Sequence, residues 1–151
     1  MINGKYIRRL AMPIKINGIN HFAISVADME ESIKWYNDKF GFTVIDRSEI
    51  PGEGVKVAHM QGVGFILEIF CAPHSNPLPP DRREPNLDFR TQGNKHISFG
   101  VKDGRKTKAE MEAMGIDIAF VAEVDGTYGV FIRDNTGNLI EIFEEGTENE
   151  N

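Results

Sequence analysis

The chain is poor in cysteine, with Cys71 alone among 151 residues. One thiol cannot close an intramolecular disulfide, so a stapled secreted scaffold is excluded, and Cys71 reads as a small, partly buried hydrophobe in a reducing compartment. Positive charge is also scarce: 17 Lys and Arg stand against 23 Asp and Glu, for a net charge of -6. General nucleic-acid binders neutralise phosphates with clustered Lys and Arg, so no nucleic-acid partner is expected. Long apolar runs are missing too. None approaches the roughly 20 residues that a membrane span needs, and the first fifteen residues lack the apolar stretch and cleavage site of a secretory signal. A cytoplasmic protein without a membrane partner is the expectation. What is present, 40% apolar and 26% charged residues, suffices for one core and argues against disorder.

The chain contains an internal duplication. Asn20-His21-Phe22-Ala23-Ile24-Ser25-Val26 is answered by Lys95-His96-Ile97-Ser98-Phe99-Gly100-Val101, each followed two residues on by an aspartate, Asp28 or Asp103. Phe40-Gly41-Phe42 is answered by Met114-Gly115-Ile116, and Ile66-Leu67-Glu68-Ile69-Phe70 by Leu139-Ile140-Glu141-Ile142-Phe143. Three markers keep their order at nearly constant spacing, which divides the chain into an N-terminal arm (1–15), a first module (16–72), a proline-rich linker (73–94), a second module (95–145) and an acidic tail (146–151).

Each module reads as βαβββ. In the first, an alternating strand over 19–26 leads to Asp28, a helix N-cap with Glu31 three residues on. Met29, Ile33, Tyr36 and Phe40 then share one helical face, and Gly41 is a natural terminator. Strands over 43–47, 55–60 and 64–70 follow, separated by Pro-Gly and Gly-rich turns. The second module repeats the order, with a strand at 95–101, a weaker helix near 104–114 and strands near 117–123, 128–133 and 138–143. The linker, with five of the seven prolines between Ala72 and Arg90, is expected to be an extended, irregular crossover. The fold class is therefore α+β, with two tandem βαβββ modules.

Strand parity separates two faces. Phe22, Ile24 and Val26 share one side of the first strand and Ile97, Phe99 and Val101 one side of its partner; the opposite sides carry His21, Ala23, Ser25 and His96, Ser98, Gly100. The bulky side is what a helix covers, and the side with a histidine followed by small residues leaves room for a ligand. Glu68 and Glu141 each interrupt an otherwise apolar strand. A buried carboxylate is costly unless paired, hydrogen-bonded or metal-bound. Two repeat-equivalent histidines and two repeat-equivalent glutamates form a mixed nitrogen and oxygen donor set compatible with one divalent ion of Ni, Co, Zn, Mn or Fe(II).

With His21 in Asn20-His21-Phe22-Ala23-Ile24, the helix end Trp35-Tyr36-Asn37-Asp38-Lys39-Phe40-Gly41-Phe42, His96 in Lys95-His96-Ile97-Ser98-Phe99, and Arg133-Asp134-Asn135-Thr136-Gly137-Asn138-Leu139-Ile140-Glu141, the chain resembles the vicinal oxygen chelate superfamily. The resemblance spans residues 16–145 and implies that the paired modules form a cup-shaped curled sheet around a divalent metal. It implies His21, Glu68, His96 and Glu141 as ligands. The superfamily's dioxygenases and thiol transferases typically use two histidines and the last glutamate, glyoxalase I a carboxylate at the position of Glu68, and methylmalonyl-CoA epimerase a glutamine there. Glu68 therefore favours glyoxalase-like or epimerase-like chemistry. The chain departs from glyoxalase I in having no convincing set of glutathione-binding basic residues and in its longer linker. Members of this length are commonly homodimers, so a homodimer is implied.

The reaction expected on this basis is metal-assisted proton transfer alpha to a carbonyl of a small substrate, of isomerase, epimerase or glyoxalase-type lyase class, with Glu141 as base and Glu68 returning the proton. Arg82, Arg83 and Arg90 are candidate holders of an anionic tail, and His59, Phe70, Tyr128 and Phe143 candidate substrate contacts. A different class, a sequestering protein of the bleomycin-resistance type, would use Trp35, Phe70, Tyr128 and Phe143 as apolar walls. An Fe(II) extradiol dioxygenase is the third reading, disfavoured by Glu68.

Overall fold

A computed structural model describes residues 14–146. The N-terminal arm and acidic tail therefore lie almost wholly outside the described residues. The first module runs β1 (His21–Ser25), α1 (Met29–Phe40), β2 (Thr43–Ile50), β3 (Val55–Gln61) and β4 (Ile66–Cys71). The second runs β5 (Ile97–Val101), α3 (Gly104–Ala113), β6 (Asp117–Val124), β7 (Thr127–Arg133) and β8 (Leu139–Glu144). Each forms a four-stranded sheet, ordered β1-β4-β3-β2 or β5-β8-β7-β6. The first and last strands of each module are parallel and the remainder antiparallel. The two sheets are not closed, and β1 and β5 are outer edges.

The helices begin and end for local reasons. Asp28 accepts the Glu31 N–H at 2.9 Å and Asp103 the Lys106 N–H at 2.8 Å, each satisfying a donor that the first turn leaves without an intrahelical partner. Gly41 closes α1 at φ 70°, a left-handed conformation costly to residues with a Cβ. The linker is less irregular than its prolines suggest: a 3-10 turn spans Pro80–Arg83 and one helical turn, α2, spans Pro85–Asp88. In both the proline stands at the start of the turn, where its fixed φ suits the helix and its missing N–H costs nothing.

One apolar core serves both modules. Ala58, Met60, Leu67 and Ile69 from the first sheet and Val130, Ile132, Ile140 and Ile142 from the second are essentially inaccessible. Each large aliphatic buried this way contributes about 1.5–3 kcal/mol relative to exposure. The modules meet through their helix-covered sides. Phe99 of β5 packs against Phe40, Phe42 and Phe65, with ring centroids 5.6, 6.1 and 5.8 Å away. Polar contacts fix the alignment: Tyr36 donates to Asp134 at 3.0 Å, Asn135 to Ser32 at 3.0 Å, and Lys39 to the Met114 carbonyl at 2.7 Å. The opposite face of each sheet remains open, with Ala23, Ser25, Ser98 and Gly100 exposed. Among the described residues no helix is long and apolar enough to cross a membrane.

Candidate functional site

The open face of each sheet carries one histidine and one glutamate. In the first module the parallel register sets Ala23 opposite Glu68, so His21, two residues before Ala23, lies diagonally from the carboxylate on the same face. His21 Nε2 stands 3.5 Å from Glu68 Oε2. In the second module Ser98 is opposite Glu141, and His96 Nε2 stands 3.4 Å from Glu141 Oε2. The glutamates are half-buried, their side chains 17% and 18% exposed. Glycine and small residues make the space they occupy: a Cβ on Gly129 would lie 3.3 Å from Glu141 Oε1.

The His21 ring is oriented from behind. Its Nδ1 lies 2.7 Å from Asn20 Oδ1. An amide oxygen only accepts, so Nδ1 is the donor in this contact, and Nε2 is the ring nitrogen turned toward Glu68. His96 is placed differently, edge-on to Phe131 with ring centroids 5.0 Å apart at 90°.

The sequence-derived ligand set thus forms two pairs, His21 with Glu68 and His96 with Glu141. Among the described residues no group of three or more His, Cys, Asp or Glu side chains is arranged to hold a metal ion, so the four do not meet at one point of the chain. Phe70 and Phe143 share the open faces of their glutamates, Phe143 being 37% exposed.

The other expected contacts are distributed less simply. His59 lies on the open face, but its Nε2 bonds Glu68 Oε1 at 3.1 Å instead of pointing free toward a substrate. Tyr128 is on the covered face, 6% exposed, with the Arg105 guanidinium 4.5 Å above its ring; it is a core residue under α3 and lines no open face. Arg82 is turned into the linker, its Nε 2.5 Å from the buried carboxylate of Asp88 and its Nη2 donating to the Asn94 carbonyl at 2.5 Å. Arg83 packs against the Gly137 turn, and its carbonyl accepts from Arg133 at 2.8 Å. Arg90 lies 5.7 Å from the centroid of Phe89 and is exposed. The arginines therefore do not converge on either His–Glu pair.

Two features escaped the sequence. Asp46 of β2 approaches His59, Oδ2 to Nδ1 at 3.6 Å; a register shift between Val44 and Asp46 resets the strand's alternation there, which simple parity cannot anticipate. A groove of about 1130 Å³ also runs between the modules, walled by Phe22, Phe40, Phe65, Phe99 and Met111. Both imidazoles border it, but neither glutamate does.

Comparison with known proteins follows the same outline. The model of the Glyoxalase/Bleomycin resistance protein/Dioxygenase superfamily matches residues 18–142. Glyoxylase I 4 of Arabidopsis thaliana is 29% identical over 134 residues, 86% of this chain and 72% of that protein. A glyoxalase family protein from Enterococcus faecalis superposes with a TM-score of 0.71 at 22% identity, over 85% of this chain and 98% of the other. The fosfomycin resistance protein FosX from Listeria monocytogenes, solved with Mn(II) and 1S,2S-dihydroxypropylphosphonic acid, superposes with a TM-score of 0.64 at 16% identity, over 89% and 97% of the two chains. At these identities the structural likeness is one of fold.

Proposed function

Because the chain belongs to the glyoxalase/bleomycin resistance protein/dioxygenase superfamily, we propose that it is a divalent-metal enzyme acting on a small chelating substrate. The reaction is proton transfer beside a carbonyl, as in an isomerase, an epimerase or a glyoxalase-type lyase. The observation that carries this reading is the repeated spacing of the two donor pairs, 3.5 Å in one module and 3.4 Å in the other. Adjacent ligands on bonds of about 2.1 Å, at angles between a right angle and the tetrahedral value, stand roughly 3.0–3.4 Å apart. Each pair therefore fits two neighbouring positions of one ion, and imidazole with carboxylate suits Ni, Co, Zn, Mn or Fe(II).

The two pairs lie on separate sheets whose β1 and β5 edges are unpaired by any strand. A second copy of the chain, bringing its β5 edge to β1, would set the His96–Glu141 pair of one protomer beside the His21–Glu68 pair of the other. We therefore assign a homodimer with two shared sites, one at each of two equivalent contacts. The single free thiol, Cys71, fits a reducing, cytoplasmic setting.

When bound, the ion supplies a Lewis acid that favours negative charge on substrate oxygens. Glu141 takes the proton from carbon as the C–H electron pair moves toward the carbonyl. Its carboxylate is bordered by Phe131 in the ladder. Glu68, on the facing wall, takes up a proton from solvent and gives it to the adjacent carbon, and Glu141 releases to solvent the proton it took. Asn20 keeps the His21 tautomer, while Phe70 and Phe143 flank the substrate. Binding of Mn²⁺ by the full chain at about one ion per protomer, with solvent deuterium entering small 2-oxo compounds or acyl-CoA thioesters, tests the reading. Absence of both would overturn it.

The intermodule groove favours a second reading, a protein that sequesters an apolar or aromatic molecule. Its walls are mostly apolar, with Phe22, Phe40, Phe42, Phe65 and Phe99 among them, and its volume, about 1130 Å³, is ample for a small ligand. That reading expects ligand binding unaffected by chelators and by Glu141→Gln.

A further inference from the structure

We infer that His59 is a positioning residue that holds Glu68 in place, and that the second module lacks this brace on Glu141. The inference rests on the metal-site reading above. Across the first sheet, Ala23, Glu68, His59 and Asp46 are successive ladder partners, so their side chains stand in one row on the open face. His59 Nε2 donates to Glu68 Oε1 at 3.1 Å while Nδ1 faces Asp46 Oδ2 at 3.6 Å. One Glu68 oxygen is thereby occupied, and the other, Oε2, is left beside His21 Nε2.

The equivalent row of the second sheet is Ser98, Glu141, Phe131 and Phe120. The two rows correspond closely, since both end just beyond a register shift in the outer strand, between Val44 and Asp46 or between Ile118 and Phe120. Where the first row has imidazole and carboxylate, the second has two phenyl rings with centroids 6.3 Å apart. A phenyl ring donates no hydrogen bond to a carboxylate oxygen. Among the described residues the polar side chain against Glu141 is His96 alone. The repeat thus carries the glutamate twice and the brace once.

The consequence is a difference in rotational freedom. A carboxylate with one oxygen tied to an imidazole N–H is held in fewer poses than one without such a partner. One bordered by phenyl rings turns about its last bond with less loss, which is what a base that leaves the metal to collect a proton requires. Asp46 is 66% exposed and its Oδ2 lies 3.6 Å from Nδ1, beyond hydrogen-bond reach, so the brace is the His59–Glu68 contact itself. His59 is a quarter exposed and takes the direct contact.

The test is Mn²⁺ affinity, read by titration of the full-length protein, with thermal melting alongside. His59→Phe, which copies the row of the second module, is expected to weaken Mn²⁺ binding by about 10- to 100-fold. His59→Gln, whose amide can still donate to Glu68, is expected to recover most of it. His59→Asn, polar but too short to span the contact, should lose as much as His59→Phe and serves if the phenylalanine variant does not fold. In a Glu68→Ala background His59→Phe should change affinity by no more than about twofold, because a residue acting through Glu68 has nothing left to act on. Wild-type affinity in His59→Phe, or an undiminished loss in the Glu68→Ala background, overturns the inference while leaving the metal site intact. A wild-type protein that binds no Mn²⁺ overturns both.

Discussion

Tyr36→Phe should loosen the joint between the modules and change how the protein withstands alkali. The Tyr36 side chain is buried, 3% exposed, and its hydroxyl donates to Asp134 Oδ2 at 3.0 Å. Asp134 keeps its other partners in the variant: the backbone N–H groups of Thr136, Gly137 and Asn138 on Oδ1, and the Asn138 amide on Oδ2. The carboxylate is not orphaned, so the loss should be near the lower end of the range for a hydrogen bond to a charged acceptor, about 1.5–3 kcal/mol. Burial first, then the Asp134 charge and its hydrogen bond, holds the Tyr36 phenol well above its ordinary pKa of 10.0. Below that pH both folded and unfolded chains keep the proton. Above it the unfolded chain releases the proton and the folded one retains it, so this group's contribution to stability falls by about 1.4 kcal/mol per pH unit. Urea unfolding from about pH 7 to about pH 11, at a fixed chain concentration because association adds to apparent stability, separates the effect. The wild type should exceed Tyr36→Phe by a constant margin up to about pH 10 and lose that margin beyond it. A margin that persists undiminished into alkali would refute the reasoning.

Gly62→Ala places a Cβ 2.5 Å from Phe42 Cζ, and Phe42 is itself 3% exposed and packed against Tyr36, Phe40, Phe65 and Phe99, so a loss of about 1–3 kcal/mol is expected; an unchanged melting temperature would contradict it. Asp28→Ala removes the N-cap of α1 and should cost about 0.5–2 kcal/mol in urea unfolding, an effect that Asp28→Ser should largely restore. Arg133 ties the linker to the second sheet through the Arg83 carbonyl, Glu84 and Asp117. Arg133→Ala should expose residues 73–94 to faster proteolytic nicking than wild type, and equal cleavage rates would show that the linker is held some other way.

The repeat was legible because it pairs chemistry-bearing residues with their neighbours: a histidine at or just before the start of a strand, a glutamate inside an apolar one, an aspartate cap before α1 and α3. Strand parity then distinguished the open face from the covered one for β1, β4, β5 and β8. It did not do so where the strand's register is broken, which is why Asp46 was missed. Tyr128 was taken for a wall although it stands two residues before Val130, on the side that α3 covers. The linker's two short turns carry no periodicity to read, being single turns begun by Pro80 and Pro85. Arg82 looked free because its buried partner, Asp88, is brought to it only by those turns. Parity also places each histidine with its own glutamate but is silent on how the modules face one another. That arrangement comes from the aromatic contacts of Phe99 and the Tyr36–Asp134 bond, which join the covered sides and leave the ligand pairs apart.

The claim that each metal site draws one His–Glu pair from each of two chains is tested most directly by mixing two inactive variants. One carries His21→Ala with Glu68→Ala and so lacks every first-module pair; the other carries His96→Ala with Glu141→Ala and lacks every second-module pair. Neither alone should bind Mn²⁺ tightly. In a mixed dimer one contact joins the two damaged modules and the other joins the two intact ones. Co-refolding the variants is therefore expected to restore tight Mn²⁺ binding to the mixed dimers, at one of their two sites. A wild-type protein that binds Mn²⁺ while the refolded mixture never does would contradict the shared site and place all four ligands within one chain.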